Sequence, residues 1–201
     1  MSESSFKPEF FQRQDESPDA MFYAAPRLLV HIDEYAIAAA TRLYGELLPP
    51  GGDVLDLMSS YRSHLPADLP LRRVAGLGMN AEEMRQNPQL TEHVVHDINA
   101  GAPLPYGEAE FDAAIVTVSV QYMTRPLDTF REVRRVLRDG APLIVTYSNR
   151  MFPTKAVRIW HALDDRERAG LIAAYFRNAG TVHRSVMSVP RNTPPSAKWA
   201  K

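Results

Sequence analysis

Between residues 25 and 48 the apolar positions Leu28, Leu29, Ile32, Tyr35, Ala36, Ala39, Leu43 and Leu47 recur every three or four residues. That spacing lines one face of an α-helix, and Pro49-Pro50-Gly51-Gly52 stops it. The pattern then changes to short apolar runs at 54–57, 73–77, 113–118 and 143–147, with the length and β-branched content of buried strands. Residues 126–138 return to helical spacing, with Leu127, Phe130, Val133 and Leu137 on one face, Pro126 in the first turn and Gly140 as the stop. A strand, a helix of about a dozen residues and another strand make a parallel crossover. Asp164-Asp165-Arg166-Glu167 has capping-box spacing, and Leu171, Ile172, Tyr175 and Phe176 supply a buried face before Gly180. The chain reads as an α/β fold with a mostly parallel central sheet and helices on both faces.

The two ends depart from this alternation. Residues 1–20 hold five acids, two bases and two prolines among few aliphatics, the composition of an extended arm, although Phe6, Phe10 and Phe11 could dock it on a single domain at 21–201. Residues 182–189 suit one more strand, interrupted by Pro190-Arg191-Asn192-Thr193-Pro194-Pro195; the four bases and no acids of 181–201 suggest a solvated tail. Composition adds mainly exclusions. With 23 basic and 24 acidic residues the chain lacks the basic excess of a nucleic-acid binder. It has no cysteine, so no disulfide, thiolate metal site or thiol nucleophile. Its start lacks a basic, then apolar, leader, and no apolar run reaches the ~18–20 residues of a membrane helix, so a cytoplasmic protein is expected.

The most informative run is Asp53-Val54-Leu55-Asp56-Leu57-Met58-Ser59-Ser60-Tyr61-Arg62-Ser63. A strand that ends in an acid and a turn of small residues brings backbone N–H groups to a ligand. Here Met58 and Ser60 stand where glycine is usual. A dinucleotide fingerprint is missing, as are a Tyr-x-x-x-Lys pair and a P-loop Gly-Lys-Ser/Thr. His93-x-x-His96-Asp97 lacks a third well-spaced ligand and reads as surface or capping residues, so no metal is expected.

Three segments, in this order, resemble the class I S-adenosylmethionine-dependent methyltransferases, and most closely the small type 11 kind. They are the Val54-Leu55-Asp56-Leu57 strand with its turn, Val74-Ala75-Gly76-Leu77-Gly78-Met79-Asn80-Ala81-Glu82-Glu83-Met84, and Asp97-Ile98 followed by Leu104-Pro105-Tyr106 and Phe111-Asp112. The resemblance covers roughly residues 25–185. It implies a Rossmann-like sandwich whose carboxyl end is short enough to leave the family's terminal hairpin incomplete. It also implies S-adenosyl-L-methionine as cofactor, its methionine part near Asp56, Met58, Ser59 and Ser60. The ribose would lie near Gly78, Met79 and Asn80, and the adenine near Asp97 and Ile98, with Ser119 also at the pocket. Two departures stand out. The first motif lacks Gly-x-Gly, and Gly78 occupies the position where the family has an acid for both ribose hydroxyls, leaving Asn80 or the backbone at Gly78 and Met79 to substitute.

Methyl transfer asks the protein mainly to align a nucleophile, exclude water and, where needed, take a proton. Groups after the strands are placed for this. They are Ser119, Gln121 and Tyr122 after one, and Ser148, Asn149, Arg150 and Lys155 after another, in a loop that reads either as part of the site or as a solvated turn. Tyr122, Asn149 and Arg150 are the catalytic candidates. Tyr23, Arg27 and His31 fall four residues apart and would share a helix face, from which Tyr23 or Arg27 could meet the cofactor carboxylate, while His31 suits a wet helix edge. His64 suits packing or capping and Trp160 the core. The expected activity is methyl transfer to a small molecule; the alternatives are a non-catalytic binding or regulatory protein of the same fold, or an enzyme using another adenosyl ligand.

Overall fold

The computed structural model describes residues 6–180 and the backbone of Arg184–Ser188. Along the chain it forms α1 (Asp19–Phe22), α2 (Glu34–Leu47), β1 (Asp53–Leu57), β2 (Arg73–Gly78), α3 (Ala81–Arg85), β3 (Glu92–Val95), β4 (Ala113–Thr117), α4 (Pro126–Val136), β5 (Leu143–Tyr147), α5 (Arg158–Ala162), α6 (Asp165–Asn178) and β6 (Arg184–Ser188). The strands make one sheet in the order β3-β2-β1-β4-β5-β6, and every pairing is parallel. Val94, Leu77, Leu57, Val116, Val145 and Val186 are successive partners across it, so the strands end nearly level and their exit loops form one rim.

Period-2 alternation divides the core in two. Leu55, Leu57, Leu77, Val116 and Val145 share one cluster with Phe130 and Val133 of α4 and Ile172, Tyr175 and Phe176 of α6. Val54, Val74, Ile115 and Ile144 share the other with Ala40, Tyr44 and Leu48 from α2 and its end. The α6 start is the capping box read from its sequence: Asp164 Oδ1 accepts from the Glu167 N–H at 2.8 Å, and Glu167 Oε2 accepts from the Asp164 N–H at 2.9 Å.

Three local expectations are corrected. The first long helix begins at Glu34, not near residue 25, because Asp33 caps it through the Ala36 N–H at 2.9 Å. Upstream, Pro26 disfavours helical geometry at Ala25, and Leu28, Leu29 and Val30 are exposed. The pattern also gave no sign of β3, a four-residue edge strand with little burial. The β4 run stops at Thr117 because Val118 turns to φ +52°.

Residues 6–33 lie across the body as a strap. Phe6 and Phe11 pack on Tyr175 with ring centroids 5.6 and 6.3 Å apart. The Asp15 N–H donates to Thr154 O at 2.8 Å and the Arg158 N–H to Gln12 O at 2.7 Å. Lys155, fully buried, donates to Ser17 O at 2.7 Å and pairs with Asp19 at 3.2 Å and Asp15 at 3.4 Å. Arg13 holds the other side of Asp19 through two bonds of 2.7 and 2.9 Å. Among the described residues no helix is long and apolar enough to cross a membrane. The expected tail after residue 188 lies outside the described residues, as does any terminal hairpin beyond β6.

Candidate active site

At the rim, β1 and β4 leave the sheet side by side, where connections diverge to opposite edges and a crevice opens. Both exits use a non-glycine residue in the left-handed region, Met58 at φ +60° and Val118 at φ +52°. Such a conformation costs on the order of 1–2 kcal/mol, and for β-branched valine it is a marked outlier. Met58 thus adopts the conformation that glycine favours. Its turn folds onto β2, with the Ser59 N–H donating to Leu77 O at 2.8 Å. A Cβ on Gly78 would collide with the Ser59 carbonyl oxygen, so no side chain fits there.

Asp56 points to the α2 face of the sheet, as its alternation with Leu57 requires. Its Oδ2 accepts from Ser59 Oγ at 2.7 Å and Ser63 Oγ at 2.6 Å. Complete burial pushes its pKa up to about 6, against the pull of the two hydroxyls. Asp56 therefore holds the turn from behind and does not border the crevice.

After β2, Asn80 caps α3. Its Oδ1 accepts from the Glu82 and Glu83 N–H groups, both at 3.0 Å, and its Nδ2 donates to Tyr23 O at 2.8 Å and Ala24 O at 3.2 Å. Both ends of the amide are thus committed to protein partners. Glu83 lies beside it, 6% exposed, with Oε1 accepting from the Arg27 N–H at 2.7 Å and Oε2 from Ser60 Oγ at 2.5 Å. After β3, Asp97 Oδ1 accepts from the Asn99 N–H at 2.9 Å. Asn99 in turn donates to Asp19 Oδ2 at 2.9 Å and Tyr122 O at 3.0 Å, joining strap to β4 loop.

The far wall is aromatic and cationic. Tyr23, Arg27 and His31 do not share a helix face, since α1 ends at Phe22, yet all three border the same cavity. The Arg27 guanidinium lies 4.6 Å from the Phe22 ring centroid, 5.3 Å from Phe152 and 5.6 Å from Tyr23. Tyr122 stacks on Phe152 at 5.9 Å and its hydroxyl accepts from the Phe152 N–H at 2.8 Å. Arg150 donates to His31 O at 2.9 Å. Desolvation lowers the His31 pKa below the ordinary imidazole value; Glu83 opposes this, while Arg27 and Arg150 reinforce it. Burial raises the Tyr23 and Tyr122 pKa values, so both remain neutral hydroxyls at pH 7.

These walls enclose about 690 Å³, within the usual range for a small-molecule site. Every expected site residue borders it except Asp56. The loop after β5 contributes Asn149 to Pro153, whereas Lys155 points away into the strap. His64 is absent from the lining, and its carbonyl accepts from Thr41 Oγ1 at 2.9 Å; Trp160 is a core residue, 1% exposed. Sequence reading missed Glu83, Asn99 and Phe152. Asn80-x-x-Glu83 does have capping-box spacing, which was one available signal. Among the described residues no three histidines or acids gather to hold a metal. Among the described residues, Arg27 Nη1, His96 Nε2 and Ser119 Oγ find no protein partner, and all three belong to residues that line the cavity, which suits a polar ligand.

A sequence model of the methyltransferase domain family matches residues 62–145, beginning just past the β1 turn. A chain of the Haloferax volcanii complex between the Trm112 methyltransferase activator and a methyltransferase superposes with a TM-score of 0.54, at 18% identity, over 73% of this chain and 67% of that one. This is the class I methyltransferase fold. An S-adenosylmethionine dependent methyltransferase from Mesorhizobium loti aligns at 19% identity, with a TM-score of 0.43, over 54% of this chain and 51% of that one. The chain thus spans between half and two thirds of the length of these proteins. No curated protein sequence matches it.

Proposed function

We propose that this protein is a type 11-like methyltransferase that binds S-adenosyl-L-methionine in the rim cavity and methylates a small molecule. The observation that carries the reading is the convergence of three separate motif exits, after β1, β2 and β3, with the β4 and β5 loops on one cavity of about 690 Å³. The family match over residues 62–145 supports it. When bound, the cofactor supplies an electrophilic methyl group on a sulfonium. The β1 turn, held by Asp56 through Ser59 and Ser63, presents its backbone to the methionine end. Arg27 is the partner for that end's carboxylate, since among the described residues its buried Nη1 finds no hydrogen-bond partner. Asp97 and Ile98 border the adenine side.

Acceptor chemistry falls to the far wall. Tyr122 and Phe152 offer an apolar surface that excludes water, and Asn149 and Arg150 orient polar groups of the acceptor. His31, its pKa lowered, is available as a neutral base for an acceptor that must lose a proton. Calorimetry and thermal unfolding with S-adenosylmethionine and S-adenosylhomocysteine test the proposal. Both ligands are expected to bind, and ligand at about 100 times Kd to stabilise the fold by about 2.7 kcal/mol. No heat and no thermal shift at millimolar ligand would reject it. Binding with turnover unaltered by Tyr122→Phe, Asn149→Ala and Arg150→Ala would retire those catalytic roles.

A further inference from the structure

Two helices in this molecule start with the same local code and use it differently. In α6, Asp164 caps the first turn and Glu167, three residues on, reaches back to the Asp164 N–H and closes the box. In α3, Asn80 caps the first turn in the same way, accepting from the Glu82 and Glu83 N–H groups. Glu83 stands where Glu167 does, but it does not close a box. Its carboxylate turns toward the cavity and accepts from the Arg27 N–H and Ser60 Oγ, one donor to each oxygen. Among the described residues only two neutral donors therefore serve a side chain that is 6% exposed. A carboxylate has about four acceptor sites, so roughly half of this one's capacity is unmet in a place where water is scarce.

The neighbours of Glu83 narrow what could meet that capacity. Gly78 is barred from carrying a side chain by the Ser59 carbonyl, and the Asn80 amide is spent on the α3 cap and the strap. Glu83 is thus the acid at the β2 exit that borders the cavity with acceptor capacity to spare. Its two oxygens are held side by side, from the strap on one side and the β1 turn on the other. The ligand feature that answers such a pair is a vicinal diol, each hydroxyl donating to one oxygen; in dinucleotide-binding doubly wound folds an acid already accepts from the ribose 2′-hydroxyl. We infer that Glu83, positioned by Ser60 and the Arg27 backbone, is the acceptor for the ribose hydroxyls of the adenosyl ligand, in place of the acid that Gly78 excludes. The inference rests on the proposed function for its ligand.

The test compares S-adenosylhomocysteine with its 2′-deoxy and 3′-deoxy analogues by calorimetry. On the unaltered protein, removing either hydroxyl is expected to weaken binding about ten- to hundredfold, the range for a hydrogen bond to a charged group. In Glu83→Gln the parent ligand is expected to bind more weakly and the penalty for each deoxy analogue to shrink to about threefold or less; Asn80→Asp is expected to retain the full penalty. If the unaltered protein binds the deoxy analogues as tightly as the parent, or Glu83→Gln binds with an undiminished penalty, Glu83 is not the diol acceptor although the cofactor reading stands. If the unaltered protein does not bind S-adenosylhomocysteine at all, the cofactor reading itself fails and takes this inference with it. Where Glu83→Gln does not fold, Glu83→Asp, which withdraws the carboxylate by one methylene, takes its place: a smaller deoxy penalty supports the inference and an undiminished one overturns it.

Discussion

The crevice between the strand exits and the strap that faces it line the same cavity, but they are made by different forces. On the crevice side the shape is set by backbone: Met58 and Val118 in left-handed conformations, Ser59 bonded to Leu77, and a bare Gly78 pressed against the Ser59 carbonyl. On the strap side it is set by charge. Lys155, Asp19 and Arg13 form a buried ionic cluster, and a guanidinium sits among three aromatic rings. Backbone packing tolerates changes of side chain so long as none intrudes, whereas a buried charge tolerates no loss of its partner. This difference explains how the β1 exit makes its turn with methionine, and not glycine, at position 58.

The sharpest way to break the comparison is Lys155→Met. It strands Asp19 and Asp15 on one side of their cluster and is expected to cost about 3–5 kcal/mol. Hydrogen exchange should show residues 13–24 losing protection while α4 and α6 keep theirs; uniform loss would mean that strap and crevice are one cooperative unit. Next comes Gly78→Ala, whose methyl would meet the Ser59 carbonyl. A loss of about 3 kcal/mol in chemical denaturation is expected, with the strap's exchange unchanged.

Asp56 sharpens the crevice side through pH. Its pKa in the fold, about 6, lies above that of a free aspartate, so the folded state keeps a proton that the unfolded chain releases. Its stabilising contribution is complete below pH ~4 and is lost as pH rises through 6. Relative to Asp56→Asn, the unaltered protein is therefore expected to lose roughly 2–3 kcal/mol of stability between pH 4 and 6.5, read from paired denaturation curves. The smallest effect is at Met58. Met58→Gly is expected to change stability by less than about 1 kcal/mol, because relief at φ +60° offsets lost thioether packing, while Met58→Ile should cost about 1–2 kcal/mol more than glycine. Equal stabilities would show that the turn is not strained.

The same division decides what could be read from sequence. Strands β1, β2, β4 and β5 were legible because buried parallel strands are continuous apolar runs, and the α6 cap because its code is local. The crevice residues followed from their positions just past those runs. The strap was not legible, for its order comes from partners far along the chain: Lys155 with Asp19, Arg27 with Phe152, Glu83 with the Arg27 N–H. Helical spacing across residues 23–31 was a coincidence of residue types, broken by Pro26 and the Asp33 cap. Asp56 shows a subtler miss, since its place one step before Leu57 already sent it to the face opposite the α6 core.

Lys155 lies in the segment that follows the β5 loop, a few residues past those that border the cavity, and its ammonium grips the strap. Two walls are thereby fastened by one group that water does not reach. The consequence is kinetic. Parting those walls bares an ammonium and the carboxylates it holds, a slow event, so the residence time of a seated ligand should follow the opening of that ion cluster, and substitutions along the strap should register in dissociation rates before they register in association.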